Sequence, residues 1–222
     1  MKRRGQQKRV AVILLGSIVI FATMYVLFAF ISTLKRLDVI EADRDRWQRP
    51  SDVLKALDLH EAEVAVDLGS GAGYFSLKLS PLVGQRGEVI AVDIRRLSLF
   101  FLRIRAILRN QHNLRIIVGD NEDPRLPAGQ AYAVLICNTY HEFSDPNLML
   151  RRSFEALRPG GRLVIVDRGP RQHEGGAQHH DVSLTDVEED ALRGGFTIAR
   201  SDARFIEQPD DDRWWLLVAR RP

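Results

Sequence analysis

Apolar positions along this chain follow two unlike patterns. Val10 to Ile31 is almost wholly apolar, and residues 10–34 carry no charge. Beyond residue 50, short apolar runs alternate with segments of helical spacing. The runs are Val64–Val66, Glu88–Asp93, Leu114–Val118, Ala131–Cys137 and Arg162–Val166, each closed by polar or glycine residues and the last preceded by the turn Arg158-Pro159-Gly160-Gly161. Runs this short, bounded by turn residues and separated by helix-length stretches, predict parallel strands joined by crossover helices. Among those helices, Ser51-Asp52 caps a short amphipathic one bearing Val53, Leu54, Leu57 and Leu59, and another follows from Tyr74 to Leu79. Thr185 to Leu192 reads as a helix stopped by Gly194-Gly195. Phe196–Arg200 opens a further strand, and Trp214–Ala219 is a last one beyond the polar connection Asp210-Asp211-Asp212.

The first pattern is a membrane-helix signal. Twenty-two residues from Val10 to Ile31 reach roughly 33 Å as a helix, about the hydrocarbon thickness of a bilayer. The apolar stretch exceeds a signal-peptide core, and Phe28-Ala29-Phe30-Ile31-Ser32 offers no small-residue cleavage site. The expected organisation is a basic tail (1–9), a transmembrane helix (10–34), a charged linker (35–49) that continues the helix before breaking at Pro50, and a domain (50–222). Five cations precede the span (Lys2, Arg3, Arg4, Lys8, Arg9) and five follow it (Lys35, Arg36, Arg44, Arg46, Arg49), so charge counting does not orient it.

The net charge of +3 belongs to the tail. Removing its five cations from the 32 in the chain leaves 27 against 29 acids. A nucleic-acid binder would show a basic domain, so that partner is disfavoured, and the tail suits anionic lipid headgroups. The arginines at positions 95, 96, 103, 105 and 109 read as a solvated helix face. The one cysteine, Cys137, sits inside an apolar run and reads as a small buried hydrophobe.

The chemistry gathers where strands end. Val64-Ala65-Val66 runs into Asp67, then Gly69, Gly71 and Gly73 alternate before the helix. A glycine turn there leaves the backbone open to a ligand, and the following helix aims unpaired amides at the same point. The spacing is G-x-G-x-G, not the G-x-G-x-x-G of dinucleotide folds, and no Gly-Lys-Ser/Thr follows. Asp93 closes the second strand some 20 positions past Gly73, where a carboxylate accepts ribose hydroxyls. Asp120 closes the third, where it can accept from an adenine amine. Asn138-Thr139-Tyr140-His141-Glu142 follows the fourth, and Asp167 closes the fifth.

In order and separation, VAVDLGSGAGYFS, VIAVD, VGDNEDPRLP, AVLICNTYHEF and LRPGGRLVIVD resemble class I S-adenosylmethionine-dependent methyltransferases, in their small-molecule and quinone branch, over about residues 50–220. The resemblance implies a doubly wound, mostly parallel seven-stranded α/β sheet with its last strand antiparallel, preceded by the transmembrane helix. It implies S-adenosyl-L-methionine as cofactor. Gly69, Gly71 and Gly73 would approach its methionine part, Asp67 would contact or orient the same region, Asp93 would hold the ribose, Asp120 the adenine, and Asn138 would close the pocket near the sulfonium. Tyr140, His141 and Glu142 would stand over the methyl group. His141 is the best base on pKa grounds, Tyr140 fits a pocket wall, and Glu142 would orient His141 or cap the helix near Asp145-Pro146.

The chain lacks the Asn/Asp-Pro-Pro-aromatic sequence of amide and nucleobase methyltransferases, which leaves carbon, oxygen or small-amine acceptors. His173, His179 and His180 sit in a Gly-rich stretch read as a lid over the acceptor. No CxxC or HExxH spacing supports a metal there. The expected function is methyl transfer to a small or membrane-associated acceptor, a quinone precursor or lipid, by a single-pass protein with a cytoplasmic catalytic domain. The alternatives are a membrane-anchored, non-catalytic module that binds the cofactor, and, against the glycine spacing, a nicotinamide-linked reductase.

Overall fold

Apolar side chains dominate both faces of the central strands, and this dictates a sheet covered on both faces. In the computed structural model, which describes residues 2–170, 182–208 and 213–222, that sheet has seven strands in the order β3-β2-β1-β4-β5-β7-β6. They are β1 (Val64–Leu68), β2 (Glu88–Asp93), β3 (Leu114–Val118), β4 (Ala131–Cys137), β5 (Leu157–Arg168), β6 (Thr197–Glu207) and β7 (Arg213–Arg220). The first five run parallel, and β7 pairs antiparallel with both β5 and β6. The helices are α1 (Lys2–Trp47), α2 (Pro50–Leu57), α3 (Ser76–Val83), α4 (Arg96–Leu108), α5 (Pro146–Ala156) and α6 (Leu184–Arg193).

Ala65, Ala133, Leu135, Val164 and Val166 face one side, where α2 and α3 supply Val53, Leu57, Leu79 and Val83. α4 covers the same face further along, through Leu99, Leu102 and Ala106 against Ala91. Val66, Val134, Ile136, Leu163 and Ile165 face the other side, under Leu150 of α5 and Val187 and Ala191 of α6. The doubly wound sheet is the one the strand pattern predicts. Reversal of strand order between β1 and β4 opens the crevice in which open α/β sheets bind ligands.

Three local expectations change. Pro50 does break α1, but it does so by opening α2 at its first turn, with Arg49 at φ 52° as the hinge. No side chain caps α2: the carboxyl of Asp52 accepts from Arg49 Nε at 2.9 Å instead. Arg158-Pro159-Gly160-Gly161, read as a turn before β5, lies inside that strand as a bulge between the pairings Ala131–Leu157 and Ala133–Arg162. The C-terminus pins it, with Gly160 N donating to Arg221 O and Arg221 N to Gly161 O. The polar connection at 210–212 and the His173, His179 and His180 stretch lie outside the described residues.

The chain forms two units, residues up to Asp43 and residues from Arg44 to Pro222. The first is helical throughout its described residues. From Leu14 onward it carries a window of mean hydropathy 2.4, and Ile18, Phe21, Met24 and Phe28 all expose their side chains. It is the one helix among the described residues long and apolar enough to cross a membrane.

Candidate functional site

Asp93, at the end of β2, has a side chain only 3 % exposed, yet two backbone amides already serve it. Gly71 N donates to Oδ2 at 2.8 Å and Arg95 N to Oδ1 at 2.7 Å. The first bond ties the glycine loop after β1 to the tip of β2. Arg95 Nε also reaches Oδ1 at 3.4 Å, so of the two lone pairs on each oxygen one stays open on Oδ2 and the second on Oδ1 is met only by that long contact.

The glycine loop is shaped by what its neighbours press against. A Cβ on Gly69 would lie 2.2–2.7 Å from the Thr139 side chain, which occupies that space at the tip of β4. A Cβ on Gly73 would lie 2.3 Å from Leu102 Cδ1 of α4, at φ +96°. Gly71 between them faces open space. Ser70 Oγ in the same loop is buried with no hydrogen-bond partner among the described residues. A buried hydroxyl without a partner is costly, and a polar ligand group in the crevice would satisfy it.

Beside this loop lies a small, open cleft with a cavity of about 60 Å³, bounded by Asp93, Arg95, Asp120, Thr139, Glu142 and Phe143, with an otherwise mainly apolar wall. Gly69, Asp93, Asp120 and Glu142, singled out from sequence, all line it. Asp120 is exposed and sits in a turn whose Oδ1 accepts from Glu122 N at 3.0 Å and Asp123 N at 2.7 Å. These bonds hold its carboxyl below the usual carboxylate range. Asn138 is outside the lining. It takes φ 56° at the end of β4, donates its N–H to Val166 O, and its Oδ1 accepts from Arg168 at 3.4 Å.

Asp67 lies behind the loop. It is buried, its Oδ2 accepts from Ser76 Oγ at 2.5 Å, and loss of hydration pushes its pKa up to about 6 despite the bonds from Ser76. Just past the loop, Tyr74 OH donates to Asp45 at 2.8 Å, and the Arg44 guanidinium stacks 3.8 Å above its ring.

The segment after β4 corrects two expectations. Tyr140 does not line the cleft. It is 1 % exposed in the core under α6, and its OH donates to Asp190 at 2.8 Å. Burial and that acceptor push its phenol further up from its already high pKa. Glu142 does not cap α5. Asp145 does, accepting from Leu148 N at 2.9 Å, because Asp145 directly precedes Pro146 at the first helical position. Glu142 Oε2 instead stands 3.8 Å from Arg95 across the cleft mouth, and its Oε1 is 4.0 Å from His141 Nε2.

His141 is positioned by a residue given no role on sequence grounds. Its Nδ1 lies 2.8 Å from Oδ1 of Asp167, a side chain with no exposed surface at the end of β5. Asp167 also accepts from the backbone N–H of Thr139 at 3.1 Å, of His141 at 3.3 Å and of Arg168 at 2.8 Å. The hydrogen bond to Asp167 raises the imidazole pKa above its ordinary 6.5, outweighing burial. An acid closing an apolar strand, the signal that marked Asp67 and Asp93, is present at Asp167 too. Thr139 was missed for a different reason, since its part is steric and leaves no charge pattern. Cys137 is buried as expected, with Gln48 Nε2 3.3 Å from its sulfur, and burial raises its thiol pKa.

The methyltransferase domain family model matches residues 59–201. The chain is 35% identical over 106 residues to the ubiquinone/menaquinone biosynthesis C-methyltransferase UbiE of Pasteurella multocida, covering 46% of this chain and 38% of that one. The chain thus spans less than half the length of the curated relatives it matches. Among solved structures, a SAM-dependent methyltransferase from Aquifex aeolicus superposes with a TM-score of 0.72 at 22% identity, over 86% of this chain and 98% of that one. The [4+2]-cyclase SpnF superposes with a TM-score of 0.69 at 16% identity, over 79% and 80% of the two chains. At these identities the superpositions establish the fold alone, and a fold hosts more than one chemistry.

Two outcomes follow from the geometry. Tyr140→Phe removes one buried hydrogen bond, with an expected loss of about 1 kcal/mol. The melting temperature should then fall by roughly 2–4 °C while ligand binding in the cleft stays within twofold. Asp67 keeps a proton to higher pH when folded than when unfolded, so its ionisation opposes folding as pH rises from about 4 through about 6. Asp67→Asn should therefore gain up to roughly 3 kcal/mol over the parent at pH 8 and nothing near pH 4, read by urea unfolding in detergent.

Proposed function

The chain belongs to the class I S-adenosylmethionine-dependent methyltransferases, and from that premise we propose that it methylates a lipid-soluble, phenolic acceptor of the quinone-precursor kind. The observation that carries the cofactor half is Asp93, set beside the open glycine loop with an open lone pair on Oδ2 and only the long Arg95 Nε contact on the second lone pair of Oδ1. When bound, S-adenosylmethionine supplies an electrophilic methyl group on a sulfonium. Asp93 would take the ribose hydroxyls, Asp120 the adenine edge, and the backbone of Gly69 to Gly73 the methionine end. Ser70 Oγ, without a partner among the described residues, would gain one. Asp67, behind the loop, places negative charge where a cationic ligand arrives, and Asn138 borders the same region.

The acceptor half rests on the sequence likeness to a quinone C-methyltransferase and on His141. Methylating a ring carbon requires a proton to leave a ring hydroxyl, because the phenolate makes its neighbouring carbon nucleophilic. His141, oriented by Asp167, accepts that proton, and Asp167 stabilises the imidazolium that results. Once methylated, that carbon gives up its own C–H proton as the ring oxygen regains one, which restores the aromatic hydroxyl, and the protein's further part is positioning. Glu142, paired with Arg95, closes the cleft mouth. The apolar helix of residues 10–34 would serve as a single-pass anchor, with the catalytic unit on the cytoplasmic side where the cofactor is made.

Asp93→Ala should weaken binding of S-adenosylmethionine about 100-fold by calorimetry, the worth of two hydrogen bonds to a charged acceptor. Parity with the parent would remove the cofactor reading. Tritium transfer into organic-extractable quinol precursors in proteoliposomes tests the acceptor, and label recovered only in water-soluble products would count against it.

The His141 base is available only when neutral, so turnover should climb with pH through its raised pKa and then level off. Asp167→Asn should move this limb to lower pH and lower the plateau, while His141→Ala costs roughly 100-fold or more with cofactor binding kept. The same shift has a stability counterpart. The His141–Asp167 pair stabilises the fold fully below the ordinary histidine pKa, and this is lost as pH rises through the raised value.

A further inference from the structure

α4 is apolar on the wrong side as well as the right one. Leu99, Leu102 and Ala106 turn to the sheet and are at most 5 % exposed. At 100° per residue the opposite face carries Leu97, Phe100, Ile107 and Leu108, and these are 69, 48, 60 and 70 % exposed. A surface helix normally presents polar residues there, and one that is apolar all round has a second apolar neighbour. Exposed Arg96 and Arg103 border the stripe. Between Asp93 and Asp120 the chain holds six arginines and no acid, although cations and acids nearly balance beyond the N-terminal tail; of the six, Arg105 is buried on Ala72 O and Arg95 pairs with Asp93 and Glu142.

We propose that the outer face of α4 is a membrane-contact surface that seats on an anionic bilayer. Burying Leu97, Phe100, Ile107 and Leu108 at the headgroup boundary removes them from water, while Arg96 and Arg103 meet lipid phosphates. A second copy of the chain suits the face poorly, since a two-fold pairing sets arginine against arginine. α4 is roughly 20 Å long, enough to lie in the interface plane. Ile94 and Arg95, which line the cleft, immediately precede it, so a seated α4 brings the cleft mouth to the lipid boundary. The seat holds whatever acceptor is methylated.

The test uses the full chain in vesicles of phosphatidylcholine with and without phosphatidylglycerol. An environment-sensitive dye is placed on Leu97→Cys, with Ala199→Cys on β6, at the opposite edge of the sheet, as the control. Cys137 is buried and stays unlabelled. Spin-labelled acyl chains should quench the dye at 97 and spare that at 199. The effect should need the anionic lipid and fall about tenfold in Arg96→Glu/Arg103→Glu. Absent quenching at 97, equal quenching at both sites, or disulfide cross-linking between Leu97→Cys copies in its place would overturn the proposal. Binding of S-adenosylhomocysteine on the same vesicles reports the cleft separately, so failure of the seat and failure of the methyltransferase reading remain distinct.

Discussion

The bond from Gly71 N to Asp93 is the constraint on which the site depends. It joins a loop that needs glycine on steric grounds to the tip of the adjacent strand. It also leaves the carboxyl with both a fixed orientation and spare acceptor capacity. A carboxyl this buried would ordinarily lose much of its hydration without return. Here the amides of Gly71 and Arg95 replace part of that hydration, so the acid can stand in the cleft wall and still offer lone pairs to a ligand.

Asp67 shows the opposite balance. Its single neighbouring hydroxyl does not replace the water it has lost, and its pKa rises to about 6. Asp167 is served by three backbone amides and an imidazole. Three acids near the carboxyl ends of β1, β2 and β5 thus sit in three electrostatic settings. One is under-compensated, one is held with capacity to spare, and one is fully engaged in orienting His141. A buried, poorly compensated carboxyl weakens the fold, and such groups persist where a ligand supplies the missing charge.

The sheet was legible because strands buried on both faces read as uninterrupted apolar runs. β2, β3 and β4 begin and end at the residues the pattern marked. The site was legible as far as it consists of strand tips, since Gly69, Asp93 and Asp120 are placed by the strands themselves. Beyond β4 the chain turns through Tyr140–Glu142, and there sequence order says little about direction. Adjacent side chains in a tight turn point different ways: Tyr140 into the core under α6, His141 toward β5, Glu142 to the cleft mouth. The pairing of His141 with Asp167 spans 26 positions and arises only once β4 and β5 lie side by side.

Thr139 joins the two halves of the site. Its side chain fills the space a Cβ on Gly69 would need, and its N–H donates to Asp167. One residue at the tip of β4 therefore contacts the glycine loop with its side chain and the His141 partner with its backbone. Ordering the loop around a ligand presses on Thr139, and any shift of Thr139 alters the bond to Asp167 and so the setting of His141. A change of β4-tip shape alone, with no charge altered, would therefore disturb ligand grip and imidazole titration together. The fold provides the crevice, and under the proposed reading the fit between Gly69, Thr139 and Asp167 would tie the grip on one reactant to the proton chemistry offered to the other.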